Sequence, residues 1–348
     1  MQLFQILNES GELVGEPPKL DDSVLVDMLR LMLLGRRIDH KAISLQRRGK
    51  LGTYAPLSGQ EAASVGSVFA LDRETDWVVP QYREQLAMLH HGLALSTYLL
   101  QRMGHPQGSE LPKDGTLYPQ QVALGAHLPH AVGLAWGLKL RGDPGVVIAY
   151  FGDGASSEGD FHESCNLAGV QKAPVIFCCQ NNGWAISVPW SQQSAAESVA
   201  LRAPGYGMAG LAVDGNDALA MYAATADAKR RAQAGEGPTL IEAVCTRLGA
   251  HTTADDPTRY VPPDVAETAK KRDPIIRLRA YMIGKGIWSE ELDQEAERWC
   301  DAEIDRAVEE FDATPKPDPA SLFDNVYAAE DPRLRRQREE FIADRESR

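Results

Sequence analysis

The sequence predicts a doubly wound α/β fold with a mainly parallel sheet, and three observations carry that expectation. Short β-branched and aromatic runs alternate with longer stretches whose apolar residues recur at three and four. Residues 146–183 read as strand, helix and strand, a βαβ unit whose right-handed crossover makes its two strands parallel neighbours. Polar, glycine-containing segments follow the strand-like runs, which is where ligands bind in open α/β sheets.

Taken in order, residues 1–20 form an N-terminal arm with a turn at 8–11, closed by Pro17-Pro18. Asp21-Asp22-Ser23 caps a helix over 24–48, with Leu25, Met28, Leu29, Met32, Leu33 and Ile38 on one face. A glycine- and proline-containing loop at 49–57 precedes a helix at 59–71 and a short strand at 77–80. Residues 104–119 lack periodicity and form a long loop, a common place for function. Residues 121–125 lead into a helix over 127–141.

The central unit follows. Val146 to Phe151 suits a strand buried on both faces. Gly152-Asp153-Gly154 turns, Ser157 is the expected N-cap of a helix reaching about 171, and a second strand at 175–179 runs into Asn181-Asn182-Gly183. Beyond it come an irregular stretch at 191–207, a strand at 211–213, a helix at 216–234 and a buried strand at 239–247. Residues 248–256 and 257–268 read as loops, the second exposed. Helices at 274–285 and 289–311, a break at 314–319 and a charged tail complete the chain. The expected division is an arm (1–20), an α/β domain (21–270) and a helical C-terminal extension (271–348), without internal repeats.

Bulk properties exclude several classes. A net charge of −13 argues against nucleic-acid binding, and no apolar run reaches membrane-spanning length. The opening MQLFQILNES lacks the basic and apolar regions of a signal peptide, so a cytoplasmic protein is expected. The five cysteines are odd in number and have no metal-site spacing; Cys178, Cys179 and Cys245 sit in apolar runs and read as buried free thiols.

Asp153 and Asn182 lie 29 residues apart in sequence but at one edge of the expected sheet. A carboxylate and an amide oxygen there can hold a hard cation such as Mg2+ that keeps positions for phosphate oxygens. The N–H groups of Gly154 and Ala155, before a helix, suit a diphosphate. Alone, GDG is an ordinary tight turn; GDG followed by a helix, a strand and NN is a ligand-binding pattern. Arg83, just after a strand, has the fork geometry to take a phosphate. His251 follows another strand, beside Thr252, Thr253, Asp255 and Asp256.

With these residues in view, the chain resembles the thiamine diphosphate fingerprint. Over residues 29–288 it resembles the α subunit of the decarboxylating component of 2-oxo acid dehydrogenase complexes, of the pyruvate and branched-chain types. The carrying motifs are GQEA (59–62), QYRE (81–84), the GDG–NN unit, VDGND (213–217) and HTTADDPTRY (251–260). The resemblance implies a sheet of thiamine diphosphate-binding type and the cofactors thiamine diphosphate and Mg2+. It makes Asp153, Asn182 and the Trp184 carbonyl the metal ligands. Gln81, Tyr82, Arg83, Gly152, Gly154 and Ala155 would serve the cofactor, and backbone groups at Val122, Leu124 and Gly125 its aminopyrimidine ring. His251 would be catalytic or phosphate-contacting, with Asp255 ordering its loop. Val122, Ala126 and His127 replace the potassium-site residues of some members, so that site is not expected, and Val261 follows Tyr260 where the family often has Arg.

The implied reaction is oxidative decarboxylation of a 2-oxo acid with acyl transfer to a lipoyl group of a partner acyltransferase. The Glu that activates the cofactor comes, in the family, from a β chain, which implies a heterotetramer of two α and two β chains. The segments 205–217 and 251–256 resemble the branched-chain type, whereas LGTYAP and Gln180 resemble bacterial pyruvate enzymes; branched-chain 2-oxo acids such as 3-methyl-2-oxobutanoate are the preferred expectation, pyruvate the alternative. A nicotinamide-dependent dehydrogenase would need G-x-G-x-x-G after a strand, which is lacking. A non-catalytic cofactor-binding partner subunit would not need intact Asp153, Asn182 and His251.

Overall fold

The structure is a computed structural model that describes residues 3–324, 326–329 and 331–347. Its elements, in chain order, begin with α1 (Asp22–Arg47), α2 (Glu61–Val68), β1 (Trp77–Val79), α3 (Gln85–His90), α4 (Leu95–Met103) and α5 (Leu128–Arg141). The central unit is β2 (Val147–Gly152), α6 (Gly159–Gln171) and β3 (Val175–Asn181), followed by a small hairpin, β4 (Trp184–Ala185) and β5 (Val188–Pro189), and one turn of helix, α7 (Trp190–Gln193). Then come β6 (Ala209–Asp214), α8 (Ala218–Gln233), β7 (Thr239–Val244), α9 (Pro263–Lys271), α10 (Pro274–Gly284), α11 (Glu290–Ala313) and α12 (Pro332–Glu346).

The main sheet has the order β1-β2-β3-β7-β6, and every pairing in it is parallel. Strand alternation distributes its side chains between two cores. Ile148, Tyr150, Ile176, Cys178, Ile241 and Ala243 join one core with α1, α2, α8, α10 and α11. Val147, Ala149, Phe151, Val175, Phe177, Cys179 and Leu240 join the other with α5 and α6. Helices on both faces and a fully parallel sheet are the doubly wound arrangement expected. Because β2 and β3 are buried on both faces, their sequences are continuous apolar runs.

Helix α2 is buried at every residue and packs against α1 and α8. Its small residues permit that approach: a Cβ on Gly66 would stand 2.4 Å from the Ala218 carbonyl oxygen. The arm joins the edge of the sheet through a parallel bridge between Phe4 and Val213. The Asp217 carboxylate fixes it, accepting from the Ile6 and Leu7 N–H groups at 2.7 and 2.6 Å while also capping α8.

Several local expectations change. Ser157 is not the N-cap of α6: residues Asp153–Ser157 form a 3-10 turn, and α6 starts at Gly159 after Glu158. The Ser156 hydroxyl donates to the Asp153 carbonyl at 2.7 Å, which tightens that turn and delays the helix. The Asp21 side chain makes no cap bond to α1. Residues 257–268 are not a continuous loop: a 3-10 turn at Pro257–Arg259 leads to α9, which starts with Pro263. That helix buries none of its residues, so burial does not mark it. The charged tail holds α12, likewise without a buried residue, and α3 and α4 occupy residues unassigned from the sequence. All five cysteines are buried and free, and no described helix is long and apolar enough to cross a membrane.

Candidate active site

The register of β2 and β3 pairs Gly152 with Gln180, so Asp153 and Asn182 leave adjacent strands at the same sheet edge. Asp153 is 1% exposed at the start of the 3-10 turn. Asn182 follows β3, donates from Nδ2 to Gln60 Oε1 at 3.1 Å and accepts at Oδ1 from the Trp184 N–H at 3.1 Å. Gln60 comes from the start of α2, so a helix from the other layer reaches this edge.

A cavity of about 250 Å³ opens here. Gln81, Tyr82, Arg83, Leu124, Gly152, Asp153, Gly154, Ala155, Asn182, Trp184 and His251 all line it. Val122 and Gly125 lie outside its lining: Val122 is exposed, and Gly125 takes a positive φ of 76° beside Glu158. The structure thus brings together four strand ends that are far apart in sequence, with residues 121–125 at the margin.

Glu84 is the buried anchor of the β1 end. Its Oε2 accepts from the N–H groups of Gln81 (2.9 Å) and Arg83 (3.0 Å), and its Oε1 from Gln180 Nε2 (2.7 Å). Burial pushes its carboxyl up to about 7, against those hydrogen bonds. Gln81 Oε1 in turn accepts from the Gly152 N–H at 3.1 Å and ties β1 to the GDG turn.

Arg83 reaches across to the His251 loop. Its Nη2 donates to the His251 carbonyl at 2.8 Å and lies 2.9 Å from His251 Nδ1, and its Nη1 donates to the Pro56 carbonyl. Burial lowers the His251 imidazole to about 4, helped by the Arg83 and Arg247 charges. The ring is therefore neutral near pH 7. A guanidinium has no acceptor, so Nδ1 receives its hydrogen bond and the proton sits on Nε2. Asp255 Oδ2 accepts from the His251 N–H at 2.7 Å and from the Tyr260 hydroxyl at 2.6 Å. Arg247 completes the loop, donating from Nη2 to the Tyr260 hydroxyl at 2.7 Å and to the Ile186 carbonyl at 2.9 Å. Val261, where the family often has Arg, takes no part in these bonds, and Arg247 lies three residues beyond β7.

Gln60, Glu84, Gln193 and Arg247 were not among the residues expected at the site. Gln60 and Glu84 belong to GQEA and QYRE, so the motifs mark them. Gln193, which donates from Nε2 to Asp153 Oδ2 at 3.0 Å, lies in an irregular polar stretch without a local signal.

The family described as "Dehydrogenase E1 component" matches residues 29–320 of this chain. The pyruvate dehydrogenase E1 component subunit alpha of Bacillus subtilis (strain 168) is 45% identical over 327 residues, covering 93% of this chain and 88% of that protein. The same subunit of Bacillus cereus is 44% identical over 329 residues, covering 94% and 88%, and that of Staphylococcus epidermidis 44% over 329, covering 94% and 89%.

The chain belongs to the dehydrogenase E1 component family. It is an α-type chain of a 2-oxo acid dehydrogenase, an oxidoreductase, with thiamine diphosphate and Mg2+ as cofactors. The site fits that pair. Among the described residues no three His, Cys, Asp or Glu side chains converge on a point, so a cation here needs amide, carbonyl and ligand-phosphate oxygens beside Asp153, the donor set Mg2+ accepts. Burial pushes the Asp153 carboxyl up, against hydrogen bonds from Gln193 and the Asn182 backbone. Gln60 Nε2, Gln81 Nε2 and Gln180 Oε1, on residues lining the cavity, are buried without a partner. A Cβ on Gly152 would meet nothing within 4 Å, which leaves room for a ligand against the turn.

Proposed function

We propose that this chain is the α subunit of a pyruvate dehydrogenase E1 component. It would act with a β subunit in a heterotetramer of two α and two β chains, oxidatively decarboxylating pyruvate and passing the acetyl group to the lipoyl group of a partner acyltransferase in the cytoplasm. The observation that carries this reading is the meeting of Asp153, Asn182, Arg83 and His251 around one cavity at the sheet edge. The substrate rests on the relatives. The branched-chain preference drawn from 205–217 and 251–256 gives way to pyruvate, because the three relatives, aligned over 93–94% of the chain, are pyruvate dehydrogenase subunits.

In this reading Asp153, the Asn182 side-chain oxygen and the Trp184 carbonyl hold Mg2+. The Gly154 and Ala155 N–H groups at the turn, with Tyr82 and Arg83, take the diphosphate; Gln81 and Gly152 shape that end of the cavity. Backbone groups at Val122, Leu124 and Gly125 hold the aminopyrimidine. When bound, thiamine diphosphate supplies the electron sink for decarboxylation. His251 offers a neutral imidazole with its Nε2 proton ready to donate to charge developing on substrate oxygen. Arg83 holds that tautomer, and Asp255 and Tyr260 hold the loop. The carboxylate that activates the cofactor comes from the β subunit.

Co-expression with the β subunit and measurement of CO2 release from pyruvate and from 3-methyl-2-oxobutanoate tests the proposal. A higher kcat/KM for pyruvate supports it; a higher kcat/KM for the branched acid would restore the alternative substrate.

A further inference from the structure

We propose that Gln193 is a positioning residue that orients the Asp153 carboxylate for the cation and latches the 184–193 flap onto the metal turn. The inference rests on the reading of Asp153 as a metal ligand.

The flap is the β4–β5 hairpin continued into α7, and the Trp190 N–H closes it onto the Gly183 carbonyl at 2.9 Å. It lies against the GDG turn: a Cβ on Gly154 would stand 3.2 Å from Ala185 Cβ and 3.8 Å from Gln193 Oε1. At the end of α7, Gln193 Nε2 donates to Asp153 Oδ2 at 3.0 Å, and Gln193 Oε1 accepts from the Ser157 hydroxyl at 3.2 Å. These two bonds fix the amide orientation. An ionised carboxylate only accepts, so the amide must turn its NH2 toward Asp153, and its oxygen then faces the Ser157 hydroxyl. Arg202 braces the same junction, donating to the Ser156 carbonyl at 2.7 Å and to the Ser194 hydroxyl at 2.7 Å, with its guanidinium 5.6 Å from the Trp190 ring centroid.

Asp153 is buried, and Gln193 is the one side chain that hydrogen-bonds its carboxylate among the described residues. A carboxylate has about four acceptor directions, so this bond and the one from the Asn182 backbone leave others for a metal. It also removes rotamer freedom that metal binding would otherwise have to restrict. Partners that orient a metal-binding carboxylate typically contribute about 10–100-fold in metal affinity. The flap carries Trp184, so the same bond links the carboxylate ligand to the segment that offers the carbonyl ligand.

The test uses the assembled α–β enzyme with thiamine diphosphate in excess. Mg2+ is titrated by calorimetry, and the Mg2+ concentration at half-maximal turnover is measured for the parent, Gln193→Ala, Gln193→Met and Ser157→Ala. Gln193→Met keeps most of the side-chain bulk and loses the donor, which separates packing from orientation. Both Gln193 variants are expected to weaken Mg2+ binding about tenfold or more, with half-saturation shifting far more than maximal turnover. Ser157→Ala should weaken it about threefold, since that variant loses only the bond that orients the amide. Gln193→Met with parental or tighter Mg2+ binding would overturn the inference, as would a lower melting midpoint of the cofactor-free assembly with unchanged Mg2+ binding. Asp153→Ala serves as the control: abolished Mg2+ binding there, beside a parental Gln193→Met, sinks only the Gln193 role, whereas intact binding in Asp153→Ala sinks the metal assignment itself.

Discussion

The two ends of the candidate site are built differently. The GDG–NN end hangs on β2 and β3, adjacent strands buried on both faces, and its principal carboxylate is 1% exposed. The His251 end is a loop between β7 and α9, held by side-chain bonds from Arg83, Asp255, Tyr260 and Arg247 rather than by strand pairing. A rigid sheet edge suits an anchor that must hold charge at fixed distance, while a side-chain-laced loop suits groups that act on substrate and order with it. Arg83 is the joint between the two ends.

The largest effect expected from this division is at His251. His251→Ala in the α–β enzyme should lower turnover by about 10²–10⁴-fold and leave cofactor affinity near the parental value. Steady-state kinetics across cofactor concentrations check it; rescue by excess cofactor would move His251 to the anchoring end. Arg83→Lys should damage both ends, because lysine has no fork to span Pro56, His251 and a phosphate. Cofactor affinity should fall about ten- to a hundredfold, the effect of a hydrogen bond to a charged group, together with turnover. A change in only one of the two would break the claim that Arg83 joins them.

The third expectation concerns the scaffold rather than the site. Gly66→Ala drives a Cβ toward the Ala218 carbonyl oxygen, 2.4 Å away. Overpacking of this kind costs about 1–3 kcal/mol, read as a lower melting midpoint, with no direct effect on the site. An unchanged midpoint would mean that α2 and α8 can separate.

The fourth expectation is a pH dependence. His251 titrates at about 4 when folded, against 6.5 when unfolded. The unfolded chain therefore binds the extra proton first as pH falls from 6.5 to 4. Its contribution to stability is present above 6.5 and is lost across that window. The parent should lose stability relative to His251→Gln between pH 6.5 and 4, measured by thermal scans, and parallel curves would show that the imidazole is solvated.

What could be read from the sequence follows the same division. The β2–α6–β3 unit was legible because burial on both faces forces continuous apolar strands, and its turn residues carry a motif of fixed spacing. The His251 loop was legible as a location but not as a network, since Arg83 and His251 are 168 residues apart. Gln193 was illegible for the same reason: it reaches Asp153 across 40 residues from a segment without periodicity. Ser157 looked like a cap because its residue type fits one, but the 3-10 turn took that position first. Helix α9 escaped because it is short and buries none of its residues, and α12 because it is charged on all sides. Substrate choice lay outside local chemistry; the segments compared pointed both ways, and the relatives supplied the direction.

The central claim is that the buried strand-end carboxylate anchors Mg2+ and, through it, the diphosphate. Calorimetric titration of thiamine diphosphate with Mg2+ into the α–β enzyme, parent against Asp153→Ala, tests it most directly, with circular dichroism to check the fold. The account predicts Mg2+-dependent binding in the parent and none in a folded Asp153→Ala enzyme. Equal, Mg2+-dependent affinity in both would contradict it.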